Sequence, residues 1–166
     1  MDLKMALNKS AHAAVLPSVL CIDSHEGDRH TVETMLGETC KVVRASTVTA
    51  GLRMLSKGRF AAVLCDTEQT EGSWRQVLLA TTHKADAPLL IVTSRLADET
   101  LWAEALNLGA WDVLAKPFDL QEVTRIISST CHHWRMRSSS ARRAMRAGSE
   151  TTAIDADTLG ANVACA

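Results

Sequence analysis

No apolar run in this chain approaches the roughly 18 residues needed to cross a bilayer, so the sequence carries no transmembrane signal. No export signal is expected either: the opening MDLKMALNKSAHAAVLPSVLC has lysines at 4 and 9, but Pro17 breaks its short apolar stretch and no small-residue cleavage site follows. Leu20, just ahead of Cys21, is wrong for a lipid-modified cysteine, which wants a small neighbour there. The expected location is cytoplasmic. Five cysteines, at positions 21, 40, 65, 131 and 165, contain no C-x-x-C pair, which excludes a disulfide framework or zinc knuckle as the organising device. Cys131-His132-His133 is a poor metal site, because adjacent helical residues point in different directions and a fourth ligand is lacking. Net charge is also scarce, at −1 for the whole chain.

What is present fits one ordinary domain with a real core, since 166 residues leave no room for a second full one. The small net charge hides a split: residues 18–127 carry +11 and −15, whereas residues 128–166 carry +5 and −3. Near-continuous apolar runs occur at Val19–Asp23, Lys41–Ala45, Ala61–Asp66, Leu89–Thr93 and Asp112–Ala115. Such unalternating runs predict strands covered on both faces, as in a parallel sheet. Between them lie helical stripes: Val32, Met35 and Leu36; Val48, Leu52 and Leu55; Trp74, Val77 and Leu78; Leu101, Trp102, Ala105 and Leu106; then a longer one from Leu120 through Ile126 and Ile127 to Trp134. Asp98 and Asp119 suit helix N-caps, and Gly58 and Gly109 suit helix ends. The expected fold class is therefore α/β, a (βα)5 three-layer sandwich with the flavodoxin-like parallel order 2-1-3-4-5. Residues 1–17 read as an N-terminal extension and residues 18–134 as the domain. Residues 135–166, basic and then polar, read as a disordered tail too poor in large apolar side chains to bury surface.

Asp23, Asp66, Thr93 and Lys116 each fall where an apolar run stops. Strand ends of an open parallel sheet gather along one edge, so this placement predicts a polar cluster assembled from distant parts of the chain. Two carboxylates, a hydroxyl and an ammonium at such an edge suit phosphoryl chemistry, which asks mainly for positioning and charge neutralisation.

Four segments together resemble a response-regulator receiver domain, the phosphoacceptor half of two-component signalling: SVLCIDSHEGDR, AAVLCD, PLLIVTS and, most specifically, ALNLGAWDVLAKPFDLQEV. The resemblance implies that Asp66 takes a phosphoryl group from a histidine kinase or phosphotransfer protein. It further implies that Thr93 and Lys116 bind the phosphate, that Asp23, Asp66 and the backbone carbonyl of Glu68 hold Mg2+, and that the Lys116-Pro117 bond is cis. It implies a signalling module acting on an unidentified downstream protein, not an enzyme. Nucleic-acid binding is not expected, because a tail of about 30 residues is too short for a helix-turn-helix domain.

The chain departs from the family pattern at three places. Ser24 stands where the first acidic turn normally has a second acid, a weaker donor for a hard cation unless Glu26 or Glu68 substitutes. The DTEQTEG loop after Asp66 is short and lacks a Met-Pro pair, and Val113 stands where an aromatic switch residue is common. These departures leave a phosphorylation-independent binding module as the main alternative. A remoter one is a haloacid-dehalogenase-like phosphatase, similar through Asp66-Thr67-Glu68-Gln69-Thr70 but lacking that family's second aspartate and later acidic pair. A flavodoxin-like flavin protein is less expected still, because HEGDR after the first strand is not a Ser/Thr/Gly-rich phosphate loop.

Overall fold

The computed structural model describes residues 16–82 and 86–154, with side chains as far as 144. Most of the expected N-terminal extension, and residues 155–166 of the expected tail, lie outside the described residues. The elements alternate throughout: β1 (Ser18–Ile22), α1 (Glu26–Leu36), β2 (Lys41–Ala45), α2 (Val48–Lys57), β3 (Ala62–Asp66), α3 (Trp74–Thr81), β4 (Leu89–Ser94), α4 (Glu99–Leu108), β5 (Asp112–Ala115) and α5 (Leu120–Ile154). The strands form one parallel sheet in the order β2-β1-β3-β4-β5.

Helices cover both faces, which explains the unalternating strands. Val19, Cys21, Leu64, Ile91 and Leu114 pack on one side with Val32 and Leu36 of α1 and Val123, Ile126 and Ile127 of α5. Their neighbours Leu20, Ile22, Val63, Cys65, Val92 and Val113 pack on the other side with α2, α3 and α4. Capping fixes the helix ends: Asp98 accepts from the Leu101 N–H at 2.8 Å, and Asp119 from the Glu122 N–H at 2.9 Å. Gly109 closes α4 in the left-handed conformation with φ 107°, whereas Gly58 ends α2 in an extended one.

Two expectations from the helical stripes are corrected. Leu106 and Leu120 are 45% and 53% exposed, because the periodicity locates a helix face without locating its edges. The predicted break at 134 is also absent, for α5 continues to Ile154 where composition pointed to disorder. Alanine, arginine and methionine favour helix, and a chain already helical through Trp134 extends without a new nucleation cost. Ser138 is buried on this extension, and the Ser139 and Ser140 hydroxyls donate to the Met136 carbonyl at 2.8 and 3.0 Å.

Candidate functional site

Strand alternation aims the four strand-end residues. Asp23, Asp66, Thr93 and Lys116 each stand two residues beyond a side chain of the α1/α5 core, namely Cys21, Leu64, Ile91 and Leu114. A two-residue period therefore sends all four toward the same side of the sheet. Asp66 and Thr93 are also register partners across β3 and β4. All four are buried, with exposures of 1%, 1%, 2% and 6% in chain order.

The Lys116 ammonium is the centre of the cluster. It lies 2.5 Å from Asp23 Oδ2, 2.9 Å from Asp66 Oδ1 and 2.9 Å from Asp28 Oδ2. Burial alone would push this lysine's pKa down; the hydrogen bonds to Asp23, Asp66 and Asp28 outweigh it and hold the pKa above its ordinary value. The Thr93 hydroxyl donates to Asp66 Oδ1 at 3.4 Å, and the Glu68 N–H to Asp66 Oδ2 at 3.2 Å. The Lys116-Pro117 peptide bond is cis. The His25 N–H donates to Asp23 Oδ1 at 2.8 Å, and the Arg29 guanidinium donates to the Asp23 carbonyl. Together they pin the turn from β1 into α1.

Three participants were not singled out from the sequence. Asp28 reaches Lys116 from the first turn of α1, where an acidic residue reads simply as compensation for the helix dipole. Arg95 follows the last residue of β4 and lies 3.0 Å from Asp28 Oδ2 and 3.7 Å from Glu68 Oε2; its position just past a strand end was the available signal. His25, half exposed, places Nδ1 3.4 Å from Asp23 Oδ1. By contrast Glu26, a suggested substitute for the missing acid, is 81% exposed and faces Arg29 at 4.0 Å. Val113 is fully buried in the α2–α4 core.

Asp23, Asp28, Asp66 and Glu68 give four carboxylates against the three cations Lys116, Arg95 and Arg29, a local excess of one negative charge. The Ser24 hydroxyl donates to the Glu68 carbonyl at 3.4 Å, so that carbonyl stands beside the Asp23 turn. Two buried carboxylates, a carbonyl oxygen and surplus negative charge fit a divalent cation. Elsewhere, Cys131 is buried and His133 stacks on Trp111 with ring centroids 4.6 Å apart, a packing role for that cluster.

Residues 19–128 match the family model described as the response regulator receiver domain. The chain is 30% identical over 108 residues to regulatory protein VirG of Rhizobium radiobacter, an alignment covering 64% of this chain but 40% of that protein. Among solved structures it resembles the chemotaxis response regulator CheY4 of Vibrio cholerae, with TM-score 0.63, 18% identity, and coverage of 69% of this chain and 98% of that one. A CheY-like receiver domain protein from Methanospirillum hungatei JF-1 gives TM-score 0.66 and 20% identity, over 73% of this chain and 98% of that one. At these identities the structural likenesses speak for the fold alone.

Proposed function

The chain belongs to the response regulator receiver domain family of two-component signalling, and on that premise we propose that Asp66 is its phosphoacceptor. The observation that carries this reading is the convergence of Asp23, Asp66 and Asp28 on the Lys116 ammonium at one end of the parallel sheet, with Thr93 bonded to the acceptor carboxylate. A carboxylate oxygen of Asp66 attacks the phosphorus of a phosphohistidine or small phosphodonor. The new P–O bond gives an acyl phosphate as the bond to the donor's leaving group breaks. Lys116 keeps its proton and neutralises charge on the transferring group, and the Thr93 hydroxyl donates to a phosphoryl oxygen. Burial strengthens both interactions by excluding water. Asp23, Asp66 and the Glu68 carbonyl are the residues that would hold a divalent cation such as Mg2+, which would supply further charge neutralisation. The phosphodonor is a histidine kinase or phosphotransfer protein, and the output is contact with another protein. Among the described residues no helix is long and apolar enough to cross a membrane.

The test is incubation of the folded protein with Mg2+ and acetyl phosphate or phosphoramidate. A phosphoryl mass increment that disappears in Asp66→Asn supports the reading, and its absence from intact, folded protein refutes it.

One observation favours a second reading, the phosphorylation-independent binding module. The three protons of Lys116 already face three carboxylates, so an arriving phosphoryl group must displace one of them. Cation titration separates the two readings: a phosphorylatable site binds a divalent cation with an affinity that Asp66→Asn removes, and a pure binding module does not.

A further inference from the structure

Resting on the reading of this cluster as a divalent-cation site, we infer that it takes a divalent transition metal through the His25 imidazole in preference to Mg2+. His25 belongs to two potential ligand sets, Asp23-His25-Asp28 and His25-Asp66-Glu68, and within each set the ligand atoms lie within 4.8 Å of one another. It is the sole nitrogen donor in both. Next to it, Ser24 removes an oxygen donor of the kind Mg2+ needs, so the turn exchanges a hard ligand for a borderline one.

The geometry brings the imidazole to the carboxylates. His25 Nδ1 and Asp23 Oδ1 are 3.4 Å apart. Two ligands each about 2.1 Å from one ion stand roughly 3.0–3.4 Å apart, so this pair lies at chelating distance. Lys116 engages Asp23 through Oδ2, leaving Oδ1 on the His25 side. That oxygen accepts the His25 N–H at 2.8 Å, and the His25 carbonyl accepts the Arg29 N–H at 3.3 Å, so the backbone beneath the imidazole is held at the start of α1. With half of its side chain exposed, the ring is open to a hydrated ion arriving from solvent. The preference of transition-metal ions for imidazole nitrogen, set against the insistence of Mg2+ on oxygen, then decides occupancy.

The experiment uses the full chain carrying His132→Ala and His133→Ala, which removes the neighbouring histidines beside Cys131 as a competing site. Co2+ and Mg2+ are titrated calorimetrically, Co2+ also through its visible absorption, into this protein and its His25→Ala and Asp66→Asn derivatives. The expected result is tighter binding of Co2+ than of Mg2+. His25→Ala then weakens Co2+ by at least about tenfold and changes its spectrum while leaving Mg2+ within about twofold, and Asp66→Asn weakens both ions. Equal affinities in the parent protein, or a Co2+ affinity and spectrum unmoved by His25→Ala, overturn the inference. If either occurs while acetyl phosphate still modifies Asp66 in Mg2+, the metal preference fails and the phosphoacceptor reading stands. If neither ion binds and no phosphorylation follows, both fail together.

Discussion

Replacing Lys116 by methionine keeps an apolar stem of similar length and deletes only the charge, which makes it the sharpest probe of the cluster. The three charge-assisted bonds to Asp23, Asp28 and Asp66 are each worth roughly 1.5–3 kcal/mol, and burying the ammonium costs several kcal/mol in return, so the lysine's own net contribution is modest. The larger effect lies in what remains. Asp23 and Asp66, each 1% exposed, lose their shared counter-charge, and stranding buried charge in this way costs about 3–5 kcal/mol. Asp28 suffers less, since its side chain is 22% exposed and Arg95 still lies 3.0 Å away. Urea unfolding in metal-free buffer, with a constant m-value as the check on two-state behaviour, measures the loss. Asp66→Asn alone leaves Lys116 two carboxylates and costs less than about 2 kcal/mol. The double variant Lys116→Met/Asp66→Asn is then less destabilised than the sum of the singles by at least about 1 kcal/mol. A loss below about 1 kcal/mol for Lys116→Met, or strict additivity in the double variant, refutes the argument that one ammonium balances these carboxylates.

Three further predictions use the same unfolding measurement. A Cβ added at Gly51 would lie 2.8 Å from Ile22 Cγ1 and closer still to Cδ1, and Ile22 is fully buried, so Gly51→Ala costs about 1–3 kcal/mol; a neutral result would show that α2 or the Ile22 side chain is free to shift. At Gly109 there is open space but φ is 107°, so Gly109→Ala costs about 1–2 kcal/mol through the backbone alone. Burial first, and then the charges of Asp23 and Asp66, push the Cys21 and Cys65 thiols up from 9.0 to about 12 each. Their contribution to stability is therefore complete below pH 9 and is lost between pH 9 and about 12, as the unfolded chain's thiols ionise and the folded ones do not, at up to about 1.4 kcal/mol per pH unit per thiol. Cys21→Ala/Cys65→Ala flattens that alkaline slope, and an unchanged slope would assign it to other groups.

The sheet was legible because its signal is redundant. Five apolar runs with helical stripes between them leave few parallel topologies, and Asp23, Asp66, Thr93 and Lys116 were visible because each terminates such a run. Asp28, Arg95 and His25 were harder to see because their proximity depends on how the first turn of α1 folds back over the strand ends, which no local pattern encodes. Glu26 illustrates the same limit: it stands nearer to Asp23 in the chain than Asp28 does, yet it points to solvent while Asp28 meets Lys116. The continuation of α5 was hidden for another reason. Composition reports the inability of Ser, Ala and Arg to build a core, but not their willingness to prolong a helix already started.

The shared two-residue offset between the α1/α5 core and the four strand-end residues has a consequence for how this chain tolerates length changes. Both faces of the sheet are lined by aliphatic side chains, so a one-residue deletion within β3 that turns its remaining residues over would exchange one set of acceptable packing partners for another. Asp66 has no such equivalent on the far side. β1, β3, β4 and β5 thus act as a ruler graduated in pairs of residues: slips by an odd count are tolerated by the hydrophobic layers and penalised at the acceptor cluster, so frame within these four strands is guarded by the site as well as by the core.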